Sequence, residues 1–364
     1  MAKRSIITMS QLFILLFVSR IIMNLAYTPL LSKSNSMCDL ILSAIIAFLF
    51  TFLFIIPIYK LYDCSGNLNI VQYSFNLVGK VGIIFSLVYA IYFLFTCAYS
   101  LSLFNIFVGN IISPEISLMV LSLAIVLASC YGAFKGIEAI ARSAGVIFIL
   151  ICIAIIFIVI ALVPKIDNIN YEPIMYNGPC EMINGTVLMI SQTACIPALA
   201  MLLPSAKGDV KKGFVWWNLF VYLSVLIMII VIVGALGDYL KTQMFPVYSA
   251  INISEIGILK HLDSLYLGIW TSGLFIKISL FLYIFALCIK KVWGEKVSRW
   301  SILIGGFLVA VLSVLASGYR MISNILFDLK FSFGFTVLVS VILPTVLLIV
   351  DKVKNGQGVN NNEM

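Results

Sequence analysis

Charge is what this sequence has least of. Asp, Glu, Lys and Arg make up 10% of its 364 residues, against 62% hydrophobic, whereas a soluble chain carries about a quarter charged residues. A set of soluble domains, which the length alone would allow, is excluded. Histidine is nearly absent: His261 stands alone, in a charged loop. No carboxylate lies in the interior of any apolar run, so no acid–base pair, and with it no enzyme, can be assembled within the apolar core. The eight cysteines form no CxxC or Cys/His cluster and mostly lie inside apolar runs. They read as small buried hydrophobes, and neither metal nor cofactor is expected. The formal charge of +8 would suit nucleic acid, yet the basic residues are scattered over short loops between apolar runs. That is a membrane-topology pattern, and no nucleic-acid partner is expected.

What is present is a series of apolar runs, mostly 18–25 residues long, each sufficient to cross a ~30 Å hydrocarbon core as a helix. They predict ten transmembrane helices, at 10–31, 39–59, 80–110, 116–133, 143–163, 182–203, 214–235, 264–289, 300–318 and 333–350. The basic start MAKRSIITMSQLF resembles a signal peptide. No small-residue cleavage site follows and the apolar run continues, so it counts as a span. Lysine and arginine fix the orientation. Lys3-Arg4, Lys211-Lys212 and Lys290-Lys291 all fall on one side, while the other holds only Lys33, Lys165, Lys241, Lys260, Arg320 and Lys330. Both termini are therefore expected in the cytoplasm, residues 1–9 as a short N-terminus and 351–364 as a polar tail. The seventh span is the most uniformly apolar and is expected to carry no site.

The ten spans divide into two halves of matching outline, about 10–163 and 182–350. The third and eighth are the long ones, each after a polar or amphipathic connection. Five spans per half require the second repeat to be inverted. In secondary transporters of that layout the site lies at the midplane, where the opening helices of both repeats break. In span one, Arg20 falls about 15–18 Å along the axis, too deep to snorkel. Such a residue faces the bundle interior or a watery cavity, at a cost of ~2.5 kcal/mol or more. Ser19, Asn24 and Thr28 make the same region polar. In span six, Ser191, Gln192 and Thr193 precede Pro197, which removes a backbone donor. The freed carbonyls need partners, and the proline marks either an ordinary kink or an unwound site. Span eight carries the second stranded cation, Lys277. Elsewhere Glu138 and Arg142 form an i,i+4 pair of favourable polarity. Residues 244–263 suit a helix lying on the outer interface.

The combination Tyr131-Gly132, Gly136-Ile137-Glu138, Ala141-Arg142, Phe245-Pro246, Asp263, Trp270, Phe275-Ile276-Lys277-Ile278-Ser279 and Tyr283 resembles the B-subunits (GerAB/GerKB type) of bacterial spore germinant receptors. These belong to the amino acid–polyamine–organocation transporter superfamily. The opener departs from the family's pattern, with Ser19-Arg20 where an acidic or small residue is expected. The resemblance implies an all-α membrane protein of LeuT-like fold, a 5+5 inverted repeat with broken first and sixth helices. It implies a place in the spore inner membrane, beside an A-subunit with a cytosolic domain and a C-subunit lipoprotein. It also implies a small-molecule germinant, an amino acid in many members.

In that fold spans one and six line the substrate site, flanked by three and eight. The resemblance therefore places Ser19, Arg20, Asn24, Tyr99, Ser191, Gln192 and Thr193 around a germinant. Arg20 is either a bidentate partner for its carboxylate or a cap on carbonyls of a neighbouring helix or partner subunit. Lys277 either replaces the sodium ion of sodium-coupled members with a tethered ammonium or bridges helices. Three functions fit: a germinant receptor, a sodium-independent amino-acid permease, and a membrane scaffold with a vestigial pocket.

Overall fold

A computed structural model of the chain describes residues 7–25, 38–65, 68–172, 179–253 and 262–360. The helices are α1 (Met9–Leu25), α2 (Cys38–Cys64), α3 (Ile70–Val78), α4 (Gly82–Phe107), α5 (Leu118–Lys135), α6 (Ile137–Leu162), α7 (Pro179–Ser191), α8 (Cys195–Leu202), α9 (Val210–Leu236), α10 (Pro246–Ile253), α11 (Leu262–Gly318), α12 (Arg320–Leu326), α13 (Leu329–Val337) and α14 (Leu343–Asn360). Among the described residues eight stretches are long and apolar enough to cross a membrane, and Met9–Met23 adds a shorter one. The longest of the eight, Ser264–Gly318, is two crossings. At Gly294 the backbone adopts φ +85° and ψ 177°, and beyond it the Ser298 hydroxyl donates to the Ala286 carbonyl at 2.6 Å. Twelve residues of straight helix would hold those groups about 18 Å apart, so the chain must fold back. Each of the ten expected spans thus has a helical counterpart.

The apolar surface is sorted as a bilayer requires. Leu49 and Leu53 on α2 and Ile149, Ile156 and Ile160 on α6 face outward, at no cost where the solvent is hydrocarbon. Span six is the enclosed one, with every residue of α8 buried. Its first segment α7 packs on α2 and α13, and α1 lies between α6, α9 and α11. The long α4 and α5 pack along α11. A two-residue parallel pairing, Ile7 with Ala206 and Thr8 with Lys207, ties the start of span one to the end of span six.

Two local expectations need correcting. α1 runs unbroken through Arg20 and Asn24 to Leu25, so the interruption those residues pointed to does not lie at them. The arginine is accommodated by a partner in another helix rather than by unwinding its own. The rest of span one, 26–31, lies outside the described residues. The second correction concerns 244–263. α10 does not lie free on the surface; it buries Val247, Ala250 and Ile251 in the bundle. Phe245 and Tyr248 pack on Phe107 at ring-centroid distances of 5.0 and 5.2 Å, within a cluster that includes Tyr266 and the buried Trp270. Residues 254–261, His261 among them, lie outside the described residues.

Candidate functional site

Span six is interrupted at the expected residues. α7 ends at Ser191 and α8 starts at Cys195. At the break the Thr193 amide donates to the Ile190 carbonyl (2.9 Å) instead of to Met189, its partner in a continuous helix. Pro197 is the third residue of α8, where an amide would have no helical acceptor, so it costs the helix nothing there. It stands just after the break and prevents the helix from closing over it.

The freed carbonyls are taken up from other spans. The Met189 carbonyl accepts from Arg20 Nη2 at 2.8 Å and from Thr193 Oγ1 at 3.0 Å. The Ser191 carbonyl accepts from Thr336 Oγ1 of α13 at 2.9 Å. Thr336 has one hydroxyl proton and spends it there, so the Tyr92 hydroxyl of α4, 3.1 Å away, is the donor between those two. Cys195 Sγ donates to the Leu16 carbonyl of α1 at 3.2 Å. The break is therefore held by spans one, three and ten together, and Arg20 supplies a charged bond to it. A hydrogen bond to a charged group contributes about 1.5–3 kcal/mol.

Of the residues expected at the site, the structure brings most together. Arg20 is 1% exposed and joined to the break. Ser19 is buried beside it, but its hydroxyl donates to Leu15 of its own helix at 2.9 Å. Ser191 likewise turns its hydroxyl back to Leu188 at 2.7 Å; its carbonyl, not its side chain, takes part in the network. The Gln192 amide sits beside the Tyr99 hydroxyl, and its buried Oε1 has no hydrogen-bond partner among the described residues. Tyr99 is covered by Phe327, ring centroids 5.0 Å apart. The Asn24 side chain lies outside the described residues.

Lys277 is 2% exposed. Its ammonium lies 5.8 Å from the centroid of the Phe281 ring, within electrostatic reach of Arg20, Cys195 and Cys97. It makes no hydrogen bond to a described residue. Two cations thus share the interior beside the broken helix, one bonded to it and one held over an aromatic face. Sequence reasoning missed Met189, Thr336, Tyr92 and Cys195. Two of them act through groups without a side-chain signature, a carbonyl and a thiol among many apolar neighbours. Asp39 at the start of α2 was also missed and is buried. Glu138 and Arg142 do pair, at 3.7 Å, but on the exposed first turns of α6.

A bundle of apolar crossings, interrupted in its most enclosed span and carrying polar groups at the interruption, defines a transporter-like membrane protein. The solved structures agree on the fold. A Na+-coupled sialic acid symporter, in a substrate-bound outward-open state, matches with a TM-score of 0.65 over 93% of this chain and 80% of its own, at 14% identity. The model of the family described as "Spore germination protein" matches residues 6–325, and the chain belongs to that family. The Spore germination protein KB of Bacillus subtilis (strain 168) is 25% identical over 313 residues, 81% of this chain and 80% of that protein.

Proposed function

We propose that the protein is the membrane B-subunit of a spore germinant receptor. In this reading it binds a small nutrient, an amino acid, between the broken sixth span and the two buried cations, and passes the occupancy to partner subunits. The observation that carries the reading is Lys277. A buried ammonium without a hydrogen-bond acceptor among the described residues is costly, and a ligand carboxylate beside it offsets that cost. Arg20 adds the second positive charge while bonded to Met189. The C-terminal end of α7, with its negative dipole end, suits the ligand's ammonium, and the Ser191 carbonyl, which takes one bond from Thr336 among the described residues, has a second lone pair to offer it. Gln192 Oε1, without a partner among the described residues, adds an acceptor.

Lys277 has a second role in this reading. Its ammonium serves as the fixed charge that a sodium ion supplies in a coupled transporter of this fold, so binding needs no sodium. The partners are an A-subunit and a C-subunit lipoprotein, and the location is the spore inner membrane, both termini in the cytoplasm. A sodium-independent amino-acid permease is the second reading, favoured by the transporter fold itself.

A germination assay across a nutrient panel, using spores that lack this gene, tests the first reading. Loss of response to one amino acid, with other responses kept, is expected; an unchanged panel would contradict it. Uptake of the same labelled amino acid by the purified protein in sodium-free liposomes separates the two. Net accumulation would favour the permease.

A further inference from the structure

Away from the two cations, a groove of about 550 Å³ runs between the first half of α1, α6 and the start of α9. Its walls are mainly apolar and rich in aromatics, among them Phe17, Phe148, Trp216, Trp217 and Phe220, and the exposed Lys207 and Lys212 also line it. This is the one feature that departs from the expectation that span seven carries no site. Neither ammonium has an ion-pair or hydrogen-bond partner among the described residues. Among the described lining residues Asp209 is the single carboxylate; one of its oxygens caps α9, accepting from the Lys212 amide at 3.1 Å. Lys211 points elsewhere, 4.0 Å from Asp63.

The vertical arrangement matters. Phe220 lies eight residues below Lys212 on α9, about 12 Å along the axis, and Trp216 and Trp217 fall between them. Tryptophan at that level, with lysine above and phenylalanine below, is the order of a headgroup boundary above acyl chains. Trp216 and Phe220 are 61% and 43% exposed, so the groove opens sideways to the bilayer. A water-soluble ligand would find two charges and a long apolar wall. An anionic phospholipid matches both, its phosphate between the lysines and an acyl chain along the aromatics.

We infer that this groove is a binding site for an anionic phospholipid of the surrounding bilayer. The bound headgroup touches Lys207, which belongs to the short pairing of Thr8 with Lys207. The lipid therefore braces the joint between the start of span one and the end of span six. Basic pockets between transmembrane helices recognise anionic headgroups in this way, each lysine near the surface contributing about fivefold in affinity.

The test uses the full-length protein in vesicles of phosphatidylcholine doped with brominated-chain lipid, quenching the fluorescence of Trp216 and Trp217. A Trp216→Phe/Trp217→Phe variant identifies their share of the emission. Brominated phosphatidylglycerol is expected to quench them at about tenfold or more lower mole fraction than brominated phosphatidylcholine. The Lys207→Gln/Lys212→Gln variant, altered only at exposed side chains, is expected to lose that preference while keeping its thermal stability. Equal quenching by the two lipids in the unaltered protein, the result of ordinary boundary lipid, would overturn the inference. A preference that survives removal of both lysines would overturn it too.

Discussion

Arg20 and Lys277 are both buried cations, yet they do different work. Arg20 is structural as well as electrostatic, because its guanidinium satisfies a carbonyl that the broken helix cannot. Arg20→Ala is expected to lower stability by about 2 kcal/mol, seen as a lower midpoint of thermal unfolding in detergent, and to abolish the germinant response. Lys277 satisfies no described hydrogen-bond acceptor. Lys277→Met keeps the length and apolar bulk of the side chain while removing a buried charge. Stability is therefore expected to hold or rise, with the response lost. A drop in unfolding midpoint as large as that of Arg20→Ala would show that Lys277 is a structural bridge. The sequence made both residues legible because a cation inside an apolar run is conspicuous. It could not make Met189 or Thr336 legible: a main-chain acceptor has no letter of its own, and one threonine in an apolar helix resembles any other.

At the scale of elements, the interruption of span six was legible through Ser191, Gln192, Thr193 and Pro197, while that of span one was not. Polar residues announce that a helix borders a wet or polar space. They do not say whether the helix breaks or a neighbour supplies the partner, and for Arg20 the neighbour does. Because the Met189 and Ser191 carbonyls are held by Arg20 and Thr336, the break does not depend on the proline alone. Pro197→Ala is expected to change the unfolding midpoint little, whereas Thr336→Val, which removes the only described donor to Ser191, is expected to cost about 1 kcal/mol. The opposite ranking would place the origin of the break in the proline. The turn at Gly294 can be tested separately. At φ +85°, ψ 177° the backbone is in a region open almost only to glycine, and a side chain there costs about 1–3 kcal/mol. A Cβ at Gly294 meets nothing within 4 Å, so Gly294→Ala should show that backbone cost without a clash. Gly145→Ala, equally uncrowded but within α6, should instead stabilise by about 0.5–1 kcal/mol.

Across the whole molecule, hydropathy was the most legible property, because a bilayer forces every crossing to be helical and apolar. Ten spans and a five-plus-five outline follow from it directly. Where the crossings meet does not, since packing in lipid depends on contacts that hydropathy ignores. The pairing of residues 7–8 with 206–207, and the burial of α10 against Phe107, are of that kind. So is the groove beside α9, whose run of apolar letters looked featureless. Family membership and fold place the protein in spore germination on a transporter-like frame. The distinctive proposition is that its interior charges bind a germinant. The most direct measurement is the germination dose response of spores carrying Lys277→Met, with the amount of protein in the spore membrane fixed by immunoblot. Normal abundance with no response to the amino acid is expected; normal abundance with an unshifted dose response would contradict a germinant site at these cations.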